Sequence, residues 1–260
     1  MVKVSDVVEE IEAKWAPSYA LEWDNVGLLV GSMEKATKHI LVALDATDEV
    51  VAQAIEIGAD MIISHHPMIF SPIKRITTED FLGRRIITLI KNDITCYAAH
   101  TNFDVKAMGQ LNEESLALKD TKVLQVTAAE DVLQGIGRIG QLSKPTSLLE
   151  FSKYVKQQLG VNDIRTFGNP QKEISTVAIS GGSGNSMVEV ALKAGADVLV
   201  TGDISHGKGL DAMAAGMAII DAGHYGTEHI FTEYVRLTLA TMFPDVTVTA
   251  AKEAAPFWKV

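Results

Sequence analysis

The sequence predicts an α/β fold made of two topologically related domains, and two observations carry that prediction. From residue 39 onward, short β-branched runs alternate with amphipathic stretches, the pattern of parallel strands joined by helices. One strand-and-helix unit also recurs. Gly58-Ala59-Asp60 ahead of Met61-Ile62-Ile63-Ser64 is echoed 137 residues later by Gly195-Ala196-Asp197 ahead of Val198-Leu199-Val200-Thr201. At the same offset Val51, Ala54 and Ile55 align with Val188, Ala191 and Leu192, whereas the strand at 177–180 matches 42–44 only approximately. Gly-Ala-Asp is a common helix-to-strand connection, so chance convergence is the competing reading.

The elements follow in order. A first helix begins with Ser5 as N-cap, places Val7, Val8, Ile11 and Trp15 on one stripe and ends near Pro17. Trp23 to Gly31 is a turn leading into a short apolar strand; Asp24 and Asn25 serve either the turn or a site. Residues 40–44 form a strand, 48–57 a helix capped by Thr47 or Asp48, 61–64 a strand, 81–92 a helix and 94–99 a strand. Strands are expected at 123–126 and 136–142, then a helix at 147–159 opened by a capping box of Ser147 and Glu150. The second copy adds strands at 177–180, 198–201 and 217–220 and a helix at 210–215. Domains are expected over 1–125 and 126–260, with no Pro/Gly-rich hinge.

Composition narrows the function classes. The chain has 260 residues, 47% hydrophobic and 22% charged, which are globular values. A net charge of −10 argues against nucleic acid as a partner, because phosphate-backbone affinity comes from clustered Lys and Arg. No apolar run approaches the ~18 residues of a membrane span, and the acidic, amphipathic amino terminus is unlike a signal peptide. The single cysteine, Cys96, sits in an apolar strand as a packing residue. Cytoplasmic localisation is the expectation.

Candidate chemistry collects just beyond the strands, where ligands gather in parallel α/β sheets. His65 and His66 follow one strand, and His100 with Asp104 follows another. In the second half His224 and Glu228 repeat that His-x-x-x-acid spacing at an offset of 124. Adjacent residues on an extended strand face opposite ways, so His65 and His66 are expected to serve two ions unless the chain turns; a surface pair in a loop is the bland alternative. Together His65, His66, Asp104, His224 and Glu228 suit two divalent ions sharing a carboxylate, with positions left for water. Asp203 and His206 follow the second-copy strand as His65 and His66 follow the first. They read equally as groups that orient ligands or substrate and as a capped turn. Gly181-Gly182-Ser183-Gly184 is either a phosphate cradle or a tight turn; its spacing matches neither nucleotide-binding glycine motif.

These motifs, in this order along nearly the whole chain, resemble the GTP cyclohydrolase 1 type 2 family, a dinuclear-metal family. They are Trp23 to Gly31, Ser64-His65-His66-Pro67, His100-Thr101-Asn102-Phe103-Asp104, the Gly181 to Gly184 turn, Thr201-Gly202-Asp203 and Gly223-His224-Tyr225-Gly226-Thr227-Glu228. The resemblance implies two related α/β domains with a dimetal site between them, in the short form without an inserted domain, and a ring-shaped homohexamer. By motif position it implies His65, His66, Asp104, His224 and Glu228 as ligands of two divalent ions (Zn, Mn or Fe), with Glu228 bridging. It further implies hydrolytic opening of the GTP imidazole ring by a metal-bound hydroxide, with His100 as general acid or base and Asn102, Asp203 and His206 behind the ligands or toward the nucleotide. Gly207 after His206 departs from the expected pattern and weakens any metal role for that segment. A dimetal phosphoesterase and a non-enzymatic metal-binding or protein-interaction scaffold are the alternatives.

Overall fold

The computed structural model describes residues 1–129 and 132–257. The chain divides into two compact units: Met1–Phe103 together with His229–Val260, and Asp104–Glu228.

The first unit contains helix α1 (Val4–Lys14), strands β1 (Gly27–Val30) and β2 (His39–Ala43), helix α2 (Asp48–Glu56), strand β3 (Met61–Ser64), helix α3 (Phe81–Lys91), strand β4 (Thr95–Ala98) and the short helix α4 (Thr101–Phe103). The second continues from the π-helical turn Asp104–Met108 into α5 (Gly109–Ser115). It then runs through β5 (Lys119–Ala129), β6 (Leu133–Ser147), α6 (Leu148–Gln158), β7 (Arg165–Phe167), β8 (Glu173–Ser183), α7 (Met187–Lys193), β9 (Val198–Gly202), α8 (His206–Ala214), β10 (Ala218–Asp221) and α9 (His224–Glu228). Helix α10 (Ile230–Met242) and strand β11 (Thr247–Ala250) return to the first unit.

Each unit is one sheet with helices on it. The first sheet has the order β1-β4-β3-β2-β11, the second β5-β6-β8-β9-β10-β7. Strands β2, β3 and β4 are mutually parallel and buried almost throughout, which is why they read as continuous apolar runs rather than alternating ones. Leu41, Ile62 and Cys96 pack with Val50, Val51 and Ala54 of α2 and Ile86 and Leu89 of α3. Burial pushes the Cys96 thiol up to about 12, so it is an inert packing group. In the second sheet Val177, Ile179, Val198, Val200 and Ile220 face α6, while Ala178, Leu199 and Ile219 face α7 and α8.

The repeat is structural as well as sequential. An antiparallel edge strand, β1 or β7, lies beside three parallel strands in the same chain order in both sheets. Ile40 stands opposite Met61, and Val177 opposite Val198, so the 137-residue offset holds through the first strand too. The approximate alignment of 177 with 42 is thereby corrected by two residues. The repeated aspartates do the same work: Asp60 accepts hydrogen bonds from the Lys38 and His39 N–H groups at 2.7 and 3.1 Å. Asp197 accepts from the Ser175 and Thr176 N–H groups at 3.0 and 2.8 Å and from the Ser175 hydroxyl at 2.9 Å. Burial opposes ionisation of Asp197, yet these donors and Lys172 hold its carboxyl below the ordinary range.

The division of the chain differs from the expected 1–125 and 126–260. Residues 125 and 126 lie inside β5, and the carboxyl-terminal strand β11 pairs with β2 of the first unit, Thr247 opposite His39. A linear cut misses this because strand pairing over two hundred residues leaves no local trace. Ser5 likewise is not the first N-cap. Helix α1 starts at Val4, Asp6 accepts from the Lys3 N–H, and the Lys35 and Met33 carbonyls accept from Val4 and Ser5. Among the described residues no helix is long and apolar enough to cross a membrane.

Because each repeated aspartate satisfies two amides in or beside the preceding strand, Asp60→Ala and Asp197→Ala are each expected to destabilise the protein by about 1–3 kcal/mol. A urea midpoint unchanged from wild type in either variant would contradict this role.

Candidate metal centre

In the first unit, β3 ends at Ser64 and the chain bends immediately, so the strand rule of opposite-facing neighbours no longer applies to His65 and His66. Their backbone N–H groups still bond to the Ala43 and Leu44 carbonyls, which fixes the bend against β2. The two rings converge instead of diverging, with centroids 5.0 Å apart, and the His100 ring completes a triangle at 5.2 and 5.4 Å. Nitrogens of all three rings lie within 4.8 Å of one another, a separation suited to metal ligation.

Each of these rings is held through one nitrogen. His65 Nδ1 donates to the Ala99 carbonyl at 2.9 Å, His66 Nδ1 to Asp45 at 2.9 Å and His100 Nδ1 to Asp24 at 2.8 Å. A carbonyl or carboxylate only accepts, so the proton sits on Nδ1 and the lone pair on Nε2, the tautomer in which Nε2 is the nitrogen able to ligate. The orienting carboxylates are themselves fixed. The Asp24 side chain is fully buried and also accepts from the Thr101 N–H and hydroxyl. Burial raises its pKa, but the His100 and Thr101 hydrogen bonds prevail and hold it at about 2. Glu253, just beyond β11, accepts from the Leu44 and Asp45 N–H groups at 2.7 and 3.0 Å and so steadies the segment that carries Asp45.

In the second unit, His224 and Glu228 occupy one face of α9, one turn apart, with Nε2 and the carboxylate at 3.1 Å. His224 Nδ1 donates to Asp203 at 2.7 Å. Asp203 has φ +52°, a left-handed conformation uncommon outside glycine, and the Asn185 side chain braces its loop by donating to the Asp203 carbonyl and accepting from the Ser205 N–H. Glu228 is 3% exposed. A Cβ on Gly182 would strike its carboxylate and lie 3.3 Å from His224 Nε2, so only glycine leaves room beside this pair. The glycine stretch continues β8 rather than forming a helix-opening turn, and clearing this space is the role its contacts show. Hydrogen bonding to Glu228, reinforced by Asp203 and opposed by burial, raises the His224 pKa to about 9 in the metal-free chain.

The remaining predicted residues take different places, and of them Asp104 has a carboxylate oxygen within 4.8 Å of one of Glu228. Asp104 opens the π-helical turn of the second unit, a helix irregularity that recurs at functional sites. Asn102 is fully buried and its side-chain nitrogen donates to the carbonyl of Trp15, the residue that ends α1, at 2.6 Å. His206 is exposed at the start of α8, whose cap is Ser205. Asp45 was not singled out by sequence; its contact with His66 spans twenty-one residues and carries no motif.

A sequence profile of the family described as Duf34/NIF3 (NGG1p interacting factor 3) matches residues 2–256. The chain is 39% identical over 229 residues to a protein of Clostridium perfringens (strain 13 / Type A) named GTP cyclohydrolase 1 type 2 homolog, covering 87% of each. It is 39% identical over 248 residues to one of the same name from Streptococcus pneumoniae serotype 4, covering 93% of this chain and 91% of that one. Among solved structures it is similar to a Bacillus cereus protein related to NIF3, with a TM-score of 0.95, 28% identity and coverage of 100% and 99%.

A group whose pKa rises on folding stabilises the native state fully below its unfolded value and loses that contribution as pH climbs through the folded value. Metal-free protein is therefore expected to lose stability between pH ~6.5 and about 9. Urea midpoints measured in chelator should show this limb flattened in His224→Gln, and an identical slope in both proteins would refute it.

Proposed function

The chain belongs to the Duf34/NIF3 family, and on that premise we propose that it is a metal-dependent hydrolase in which His65, His66, Asp104, His224 and Glu228 hold two divalent ions, Zn, Mn or Fe. The observation that carries this reading is the shared tethering of imidazoles: His65, His66 and His224 each commit Nδ1 to an acceptor, as metal-ligating histidines do. The space kept by Gly182 beside Glu228 supports it further. The chemistry proposed is hydrolytic opening of the imidazole ring of a purine nucleotide such as GTP, a reading supported by the name GTP cyclohydrolase 1 type 2 homolog that the relatives above carry.

Divalent ions in such a site supply Lewis acidity and bring the pKa of water to about 7. The protein's own groups do the rest. His100, its Nδ1 proton held by Asp24, keeps Nε2 available to take a proton from water and return it to the departing ring nitrogen. Asp45 and Asp203 keep His66 and His224 in the tautomer that ligates.

Metal analysis of purified protein is expected to give two equivalents in wild type and fewer in His66→Ala and Glu228→Ala; equal content in all three would sink the ligand assignment. Asp45→Asn is expected to weaken metal affinity by ~10–100-fold while leaving the fold intact. Metal-loaded protein incubated with GTP should release the ring-opened product faster than His100→Gln. Turnover of phosphodiesters instead of GTP would redirect the reading to a phosphoesterase, and no turnover of either to a metal-binding scaffold.

A further inference from the structure

The first unit displays two large rings that its core does not use. Trp23 is 57% exposed and Phe70 is 55% exposed, and their centroids lie 5.7 Å apart at a tilt of 44°. Both stand against His100: Trp23 at 5.9 Å and edge-on, Phe70 at 6.4 Å.

Neither ring is on a loose loop. The residue after Trp23 is Asp24, whose buried carboxylate is tied to His100 and Thr101. The next is Asn25, whose side-chain amide donates to the carbonyl of Ile69, the neighbour of Phe70, at 2.6 Å. The bonds that aim the His100 imidazole thus also hold the segment of Trp23, and the Asn25 bond ties the segment of Phe70 to it. Solvent-facing aromatic pairs give no packing return to the fold, yet held in place they bind flat rings with little further loss of side-chain freedom. A nucleobase has such a face whatever its sequence of substituents, and stacking on aromatic side chains is a sequence-tolerant mode of base binding. Lys74 and Arg75 follow on the same exposed segment as Phe70, in a chain of net charge −10, and supply positive charge suited to an anionic tail.

We propose that Trp23 and Phe70 form the wall on which the base of a nucleotide substrate stacks, presenting its ring to His100 and the neighbouring histidines. This rests on the hydrolase reading above and adds to it the residues that select a planar heterocycle.

The test is calorimetric titration of metal-loaded protein with GTP and with inorganic tripolyphosphate, alongside metal analysis and light scattering of each variant. Trp23→Ala and Phe70→Ala are expected to weaken GTP binding about ten- to hundredfold, converted from the stacking energies of single bases. Tripolyphosphate affinity and metal content are expected to stay unchanged, and Trp23→Phe to recover most of the GTP affinity. Equal GTP affinity in wild type and Trp23→Ala, with metal retained, overturns the wall and leaves the metal reading standing. No GTP binding by metal-loaded wild type overturns it equally. A change in assembly mass in Trp23→Ala also overturns it, since the rings would then be covered by a second copy of the chain. Absence of metal from wild type fails the earlier reading instead, and repeating the titrations on metal-free protein judges the wall on its own.

Discussion

An acceptor on one imidazole nitrogen fixes the ring's tautomer and aim for ligation through the other, and His65, His66, His100 and His224 each have one. The acceptors are a backbone carbonyl for His65 and carboxylates for His66, His100 and His224. These partners lie on other segments, and each is fixed in turn: Asp24 by Thr101, the Asp45 segment by Glu253, the Asp203 loop by Asn185. Ring orientation is therefore over-determined by the surrounding backbone, which is how a reactive constellation is kept to a narrow geometry.

Much of this was legible beforehand. The buried parallel strands announce themselves as apolar runs, and β3 and the span of α3 fall where the pattern puts them. The recurrence of Gly-Ala-Asp predicted related units, and the hydrogen bonds of Asp60 and Asp197 explain why that aspartate belongs at the position: it gathers two successive amides in or beside the preceding strand. Histidines beyond strand ends were found because ligands collect there.

What escaped was set by long-range contact. Asp45 is an ordinary acidic residue before a helix until folding brings it to His66. The convergence of His65 and His66 depends on a bend one residue after β3, which the strand rule could not anticipate although Pro67 hinted at it. Asn102 looked like a ligand-facing amide because it sits in a motif with His100 and Asp104. Its bond to the Trp15 carbonyl spans eighty-seven residues and is a second duty that the motif does not announce. Motif membership and chemical participation are separate properties, and only the first is written in the sequence.

The nesting of one unit within the other has a consequence for how the molecule is made. The ribosome completes Asp104–Glu228 before it has delivered α10, β11 and Glu253, all of which the first unit needs. Domains tend to fold as they emerge, so the inner unit becomes competent first while the outer one waits with an open sheet edge at β2. The imidazole of His66, laid down long before Glu253, gains this brace of its orienting segment only when Glu253 clears the exit tunnel. A chain halted before Glu253 would thus carry every residue proposed to ligate but lack the clasp that steadies the partner of one of them.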